Sequence, residues 1–238
     1  MKKFLIPLLR NEHKPLISVI LAVFNDEKNI THAITSILDQ TYRNIELLII
    51  DDHSTDKTLD KINSFDDTRI KVFKNESNLG LTKSLNLLIN HSTGDLIARQ
   101  DSDDISYPER LEKQLKFLIK KDLDACATRA FVKNSRKGRP FLTHLLPVSA
   151  VLKFKNPFIH GTLLIKTKVI KSVGLYNEEY KYAQDYKLYL DLKEKNFRIK
   201  IMSNKLYTLN TKNNISSKNK KEQEYFFKLA KKVGRRTK

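Results

Sequence analysis

The sequence predicts an α/β fold with a mainly parallel central sheet covered by helices on both faces. Short β-branched or apolar runs alternate with segments whose apolar residues recur every three or four positions, the pattern of strands joined by crossover helices. Two apolar runs lead into carboxylates: Ile49-Ile50 into Asp51-Asp52, and Leu96-Ile97-Ala98 into the cluster Asp101 to Asp104. Parallel-sheet proteins bind ligands at the carboxyl ends of their strands, where both clusters would then lie. Hydrophobic residues make up 40% of the 238, which supports one core rather than global disorder.

The elements follow in order. Ile17 to Val23 reads as a buried strand, ended by Asn25-Asp26. Ile30, Ala33, Ile34, Ile37 and Leu38 share one face of a helix, with Asn25 or Asp26 near its N-cap. Glu46 to Ile50 is a second strand, and Ser54-Thr55-Asp56 opens a helix through Leu59 and Ile62. Arg69 to Phe73 is a third strand. Leu81, Leu85, Leu88 and Ile89 form an amphipathic helix closed around Ser92-Thr93-Gly94, and Asp95 to Ala98 is the fourth strand. Pro108 sits where a helix starts, ahead of Leu111, Leu115, Leu118 and Ile119. The second half is less regular: strands at Ala125 to Val132, Thr162 to Ile165 and Arg198 to Met202, a basic loop from Asn134 to Pro140, a short helix ending at Gly174, and a helix through Tyr186, Tyr189, Leu190 and Lys193 that Asp185 would cap. From Asn210 onward the chain is polar and is expected to be mobile. The expected organisation is an extension over 1–15, a domain over 16–208 and a basic, partly helical tail over 209–238.

Composition narrows the function classes. A single cysteine, Cys126, excludes an intrachain disulfide and disfavours a zinc–thiolate site. The start, Met1 to Arg10, is too short and too broken by Pro7 for a signal peptide, and no apolar run approaches the roughly 20 residues of a membrane span. The net charge of +18 suits nucleic acid, anionic lipid or phosphorylated substrates. Nucleic acid is disfavoured, because no zinc spacing, aromatic RNA-binding motif or basic zipper is present and strand-end carboxylates would oppose a phosphate backbone. Lys218 to Lys238 is strongly basic; Tyr225, Phe226, Phe227 and Leu229 would form the apolar face of a helix lying on an anionic membrane, unless the segment is only a solvated tail.

Carboxylates gathered at a strand end repel one another, and a divalent cation with oxygen ligands relieves that repulsion. An Asp-x-Asp triplet alone is common in loops. Here it accompanies a second strand-end pair, which points to an enzyme that handles a nucleotide sugar.

Six segments in this order resemble the family-2 glycosyltransferases of the GT-A fold, bacterial-type enzymes of cell-surface polysaccharide synthesis: Ser18–Asn25, Ser36–Tyr42, Ile49–Asp56, Asn78–Leu81, Ala98–Asp104 with Pro108–Leu111, and Tyr182–Tyr186. The resemblance covers residues 16 to 205. It implies an inverting, metal-dependent enzyme that moves a single sugar from a nucleoside diphosphate sugar, UDP-linked, to a glycan or lipid-linked acceptor. Asp52 would accept a hydrogen bond from the base, its alternative role being a helix cap. Ala22, Phe24, Asn25, Glu27, Asn78, Lys83, Arg99 and Ser102 would line the nucleotide site, with Lys83 near a phosphate and Arg99 also placed to pair with the carboxylates. The family often has a hydroxyl residue at the position of Ala22, so one contact is missing. Asp101 and Asp103 resemble the ligands of Mn2+ or Mg2+, Asp103 the more secure, with Asp104 behind them. Asp185 resembles the general base; many relatives have Glu before it, where this chain has Gln184. Gln184 and His160 would face the acceptor. The processive synthases of the family need membrane helices and a Gln-x-x-Arg-Trp motif, and the absence of tryptophan disfavours that reading. The expected location is the cytoplasm, with the tail as a tether to the inner face of the cytoplasmic membrane. The rival readings are a nucleotidyltransferase, which would usually carry a glycine-rich loop at its first strand, and a non-catalytic glycosyltransferase-like binding protein.

Overall fold

The computed structural model describes residues 14–135, 137–211 and 219–236. The signal-like start, Arg136 of the basic loop and residues 212–218 of the tail lie outside the described residues. The strands are β1 (Ile17–Val23), β2 (Ile45–Asp51), β3 (Ile70–Lys74), β4 (Leu96–Arg99), β5 (Ile105–Ser106), β6 (Ala125–Val132), β7 (Gly138–Arg139), β8 (Leu164–Lys166) and β9 (Ile199–Leu209). The helices are α1 (Ile30–Leu38), α2 (Thr58–Asn63), α3 (Leu81–His91), α4 (Arg110–Lys120), α5 (Val148–Val151), α6 (Thr167–Ser172), α7 (Gln184–Glu194) and α8 (Lys220–Arg236).

One sheet runs in the order β3-β2-β1-β4-β8-β6-β9-β5, with β7 on β6. Its long ladders are parallel: β1 with β2 and β4, β2 with β3, and β6 with β9. The antiparallel pairings, led by β8 between β4 and β6, are short. Every residue of β1 and β2 is buried, which explains their near-continuous apolar sequences. Their alternation sorts side chains to two faces. Ile17, Val19, Leu21 and Val23 pack with Ile30, Ile34 and Ile37 of α1 and Leu111 and Leu115 of α4. Ile20 and Ala22 pack with Leu85 and Leu88 of α3 and with Leu188 and Leu192 of α7. At roughly 1.5–3 kcal/mol for each fully buried large aliphatic side chain, these two layers fix the sheet.

Register then places the acidic clusters. Val23 pairs with Asp51 and Ile20 with Arg99, so the loops after β2 and β4 flank the end of β1 on either side.

Three local expectations change. The helix expected to open at Ser54 begins at Thr58; Asp56 Oδ1 accepts from the Thr58 N–H at 2.9 Å in a side-chain turn ahead of it. The last strand continues to Leu209 because its far half pairs with β6 and β5. Asn210, expected to be mobile, donates its backbone N–H to Asp104 Oδ1 at 2.6 Å.

The tail also differs from its expected role. α8 packs on α7: Phe227 stacks on Tyr186 with ring centroids 4.3 Å apart, Phe226 lies against Tyr180 and Tyr182, and Ala230 is fully buried. The apolar face assigned to a membrane is therefore part of the protein's own core, and of its four named residues only Tyr225 is exposed. No helix among the described residues is long and apolar enough to cross a membrane.

Candidate active site

Asp52 follows the last residue of β2 and is 4% exposed. Its Oδ1 accepts from Asn75 Nδ2 at 2.7 Å and from the Leu79 N–H at 2.9 Å, and its Oδ2 accepts from the Gly80 N–H at 2.8 Å. Gly80 has φ 84°, a left-handed conformation that glycine takes without strain and that turns its N–H to the carboxylate. Asp52 thus organises the loop carrying Asn78 rather than capping α2, and Oδ2 retains acceptor capacity. Asn78 and Lys83 are exposed beside this turn.

The loop after β1 is tied down from both sides, to the loop after β2 and to the loop after β4. Asn25, at φ 50°, accepts on Oδ1 from the Thr55 N–H at 2.8 Å, while Glu27 accepts from the Lys57 N–H at 3.1 Å. Both residues, expected at the nucleotide, also hold the 54–57 loop. Phe24 remains 48% exposed at the strand end, an open ring face, and Ala22 lies beneath it in the core. Asp26, expected near the N-cap of α1, lies three residues ahead of the capping Asn29. It accepts from Ser102 Oγ at 2.6 Å and joins the first loop to the acidic one.

Arg99 is 1% exposed and donates from Nη2 to Asp101 Oδ1 at 2.6 Å. Expected at the nucleotide, it is a buried counter-ion to the carboxylate cluster. Arg110, fully buried on α4, donates to the carbonyls of Arg99 and Gly161, and burial lowers its pKa to about 10. The second oxygen of Asp101 sits where Gly161 leaves room: a Cβ there would lie 2.6 Å from it and 2.3 Å from the Tyr207 hydroxyl. Burial, then the carboxylates of Asp101 and Asp26, push the pKa of Asp103 up to about 6, the signature of negative charge short of a partner. Asp104 is more buried still, and burial followed by the carboxylates of Asp101 and Asp103 raises its pKa.

No three His, Cys, Asp or Glu side chains among the described residues converge as a ready-made metal cage. Asp101 and Asp103 are the side chains that could hold a cation here, Asp101 with one oxygen already engaged by Arg99.

Asp185 stands on the first turn of α7. Ala183, the residue capping that helix, is left-handed at φ 54°, which swings the chain so that Gln184 and Asp185 enter the helix at this point. Gln184 is buried. Asp185 Oδ2 accepts from Asn156 Nδ2 at 2.6 Å and Oδ1 from the Tyr186 N–H at 2.7 Å. Burial raises its pKa to about 6 despite those bonds, with Asp101 adding to the rise. His160 shares a 2.7 Å hydrogen bond with the Tyr176 hydroxyl, and burial lowers its pKa to about 3, so the ring is neutral. Tyr176 is itself fixed by reciprocal backbone bonds with Asn86 of α3. Asp101 contributes to the electrostatics of Asp185, His160 and Tyr176 alike, so these groups share one neighbourhood. A cavity of about 640 Å³ lined by Asn86, Glu178, Lys187 and Asp191 contains none of the expected site residues.

A family profile described as glycosyl transferase family 2 matches residues 18–207. The chain belongs to that family. It is 35% identical over 192 residues to the putative glycosyltransferase EpsE of Bacillus subtilis, covering 77% of this chain and 69% of that protein. Over 108 residues it is 40% identical to WfgD of Escherichia coli, a UDP-Glc:α-D-GlcNAc-diphosphoundecaprenol β-1,3-glucosyltransferase, covering 45% of this chain and 43% of that one. Among solved structures, S. aureus TarS in complex with UDP superposes with a TM-score of 0.71 at 25% identity, over 90% of this chain and 64% of TarS. The fold is therefore the GT-A type, and the site described above occupies the strand ends of the family domain.

Proposed function

We propose that the protein is an inverting, metal-dependent glycosyltransferase that moves one sugar from a UDP-linked donor to a glycan or lipid-linked acceptor in surface polysaccharide synthesis. The observation that carries this reading is the presence of two unlike carboxylate environments around Asp101, beyond the end of the interior strand β4. Asp103, crowded by acids, needs a cation; Asp185, desolvated and separately hydrogen-bonded, needs a proton. The UDP bound by TarS and the lipid diphosphate acceptor named for WfgD support the choice of donor and acceptor class.

In this reading Asp52 Oδ2 accepts from the base, whose ring lies against Phe24. Asp103, with Asp101, would hold Mn2+ or Mg2+. When bound, that cation neutralises charge on the departing diphosphate. Asp185 removes the proton of the acceptor hydroxyl as its oxygen forms the new bond to the anomeric carbon. The bond to the diphosphate breaks on the opposite face and its electron pair leaves with that oxygen, so configuration inverts. His160, neutral and held by Tyr176, is a hydrogen-bonding group on the acceptor side with no proton to give at neutral pH.

Calorimetric titration of UDP, GDP and TDP, with and without Mn2+, tests the donor half. Selective UDP binding that needs Mn2+ and disappears in Asp103→Ala is the expected result. Binding of all three nucleotides alike, or UDP binding indifferent to Mn2+ and to Asp103→Ala, would overturn it.

A further inference from the structure

Nine large apolar side chains are exposed among the described residues, and five lie on one segment: Phe141 at 74%, Leu142, Leu145, Leu146, and Phe154 at 76%. A segment in loose contact with the protein would need no explanation, but this one is fastened. Arg129 Nε donates to the Pro140 carbonyl at 3.0 Å, and the Tyr186 hydroxyl donates to the Leu152 carbonyl at 2.6 Å. Val151 and Leu152 are buried, and two residues past Phe154 the side chain of Asn156 holds Asp185. An ordered segment that leaves this much apolar surface in water marks an interaction site.

Its charge identifies the partner. Lys133, Lys137 and Arg139 precede the apolar residues, Lys153 and Lys155 flank Phe154, and all five are exposed. No Asp or Glu occurs anywhere between Asp124 and Glu178. A second copy of the chain would bring like charges together. An anionic bilayer takes both components at once: the apolar side chains enter the boundary between headgroups and acyl chains while the cations meet lipid phosphate. We propose that the 141–155 segment docks the protein on an anionic membrane surface, a role that α8 cannot fill because its aromatic side chains pack on α7. Given the transfer reading above, on which this one consequence rests, docking sets Asn156 and Asp185 beside the bilayer, where a lipid-linked acceptor presents its hydroxyl.

Flotation of the full chain with phosphatidylcholine vesicles, with and without about 30 mol% phosphatidylglycerol, tests the proposal without nucleotide or turnover. Binding is expected only to the anionic vesicles. It should fall at least about tenfold in Leu145→Ser/Leu146→Ser/Phe154→Ser and in Lys153→Glu/Lys155→Glu, and by less than about twofold in the α8 variant Lys221→Glu/Lys232→Glu. Thermal melts matched to wild type establish that each variant is folded. Three results would overturn the proposal: no partition of the wild type, equal partition of the wild type and the triple variant, or a wild-type dimer in sedimentation that the triple variant abolishes. A wild type that binds UDP but not the anionic vesicles would sink this proposal and leave the donor assignment standing.

Discussion

Asn156 Nδ2 lies 2.6 Å from Asp185 Oδ2, a side-chain bond between a loop and the first turn of α7 that spans 29 residues of sequence. It stabilises the ionised carboxylate that burial disfavours, and the balance leaves Asp185 near pH 6, where a base can still be charged at neutral pH.

Asp185→Asn should retain UDP binding and lose transfer by at least about 10²-fold, the scale of general-base catalysis. Parallel calorimetry and turnover measurements check this. Equal loss of both would reduce Asp185 to a structural group.

The pH profile follows from the same carboxylate. Asp185 holds its proton below about 6 and cannot accept another, so kcat/KM should rise with pH through that value and level off above it. Its folded pKa exceeds the unfolded value of about 3.9, so its contribution to stability is greatest in acid and is lost as pH rises through about 6. Asn156→Ala removes a bond that favours the charged form and should move the acid limb to higher pH. A limb that stays in place would assign it to another group.

Gly161→Ala should act on Asp101 at a distance in sequence. The added methyl would collide with Asp101 Oδ2 and the Tyr207 hydroxyl, both held in the buried network of Arg99 and Arg110. A stability loss of roughly 1–3 kcal/mol is expected, together with weaker Mn2+-dependent UDP binding. Denaturant titration and calorimetry on one preparation read both effects, and wild-type nucleotide affinity would contradict the second.

Phe227→Ala should lower stability by about 2 kcal/mol, below the usual cost for a fully buried ring because Phe227 is only partly covered. A solvated tail would show no change in the denaturation midpoint.

The parallel half of the sheet was legible because β1 and β2 are nearly continuous apolar runs and α1, α3 and α4 repeat at helical spacing. The strand-end rule then located Asp51-Asp52 and Asp101 to Asp104 without any structure. The second half resisted the same reading. β8 and β5 are too short to show a period, and the far half of β9 alternates poorly because Ser203, Asn204 and Lys205 interrupt it. Arg99 illustrates a limit of another kind. Charged residues usually line surfaces, and only the fold reveals that this one is buried at the end of its strand. Asn156, Tyr176 and Tyr207 carried no motif at all, since their positions depend on contacts between distant loops. The tail aromatics were recognised as one helical face, but amphipathicity does not say whether a bilayer or the protein covers it.

Ala183 gives the site a cost that is easy to overlook. A β-carbon in the left-handed region is disfavoured by roughly 1–2 kcal/mol, and glycine would occupy the same turn at ease. Glycine would also let the turn wander, and Asp185 with it. Mutational selection for heat resistance alone would thus be drawn towards a residue that loosens the aim of the base, so thermal hardiness and catalytic alignment pull this one position in opposite directions.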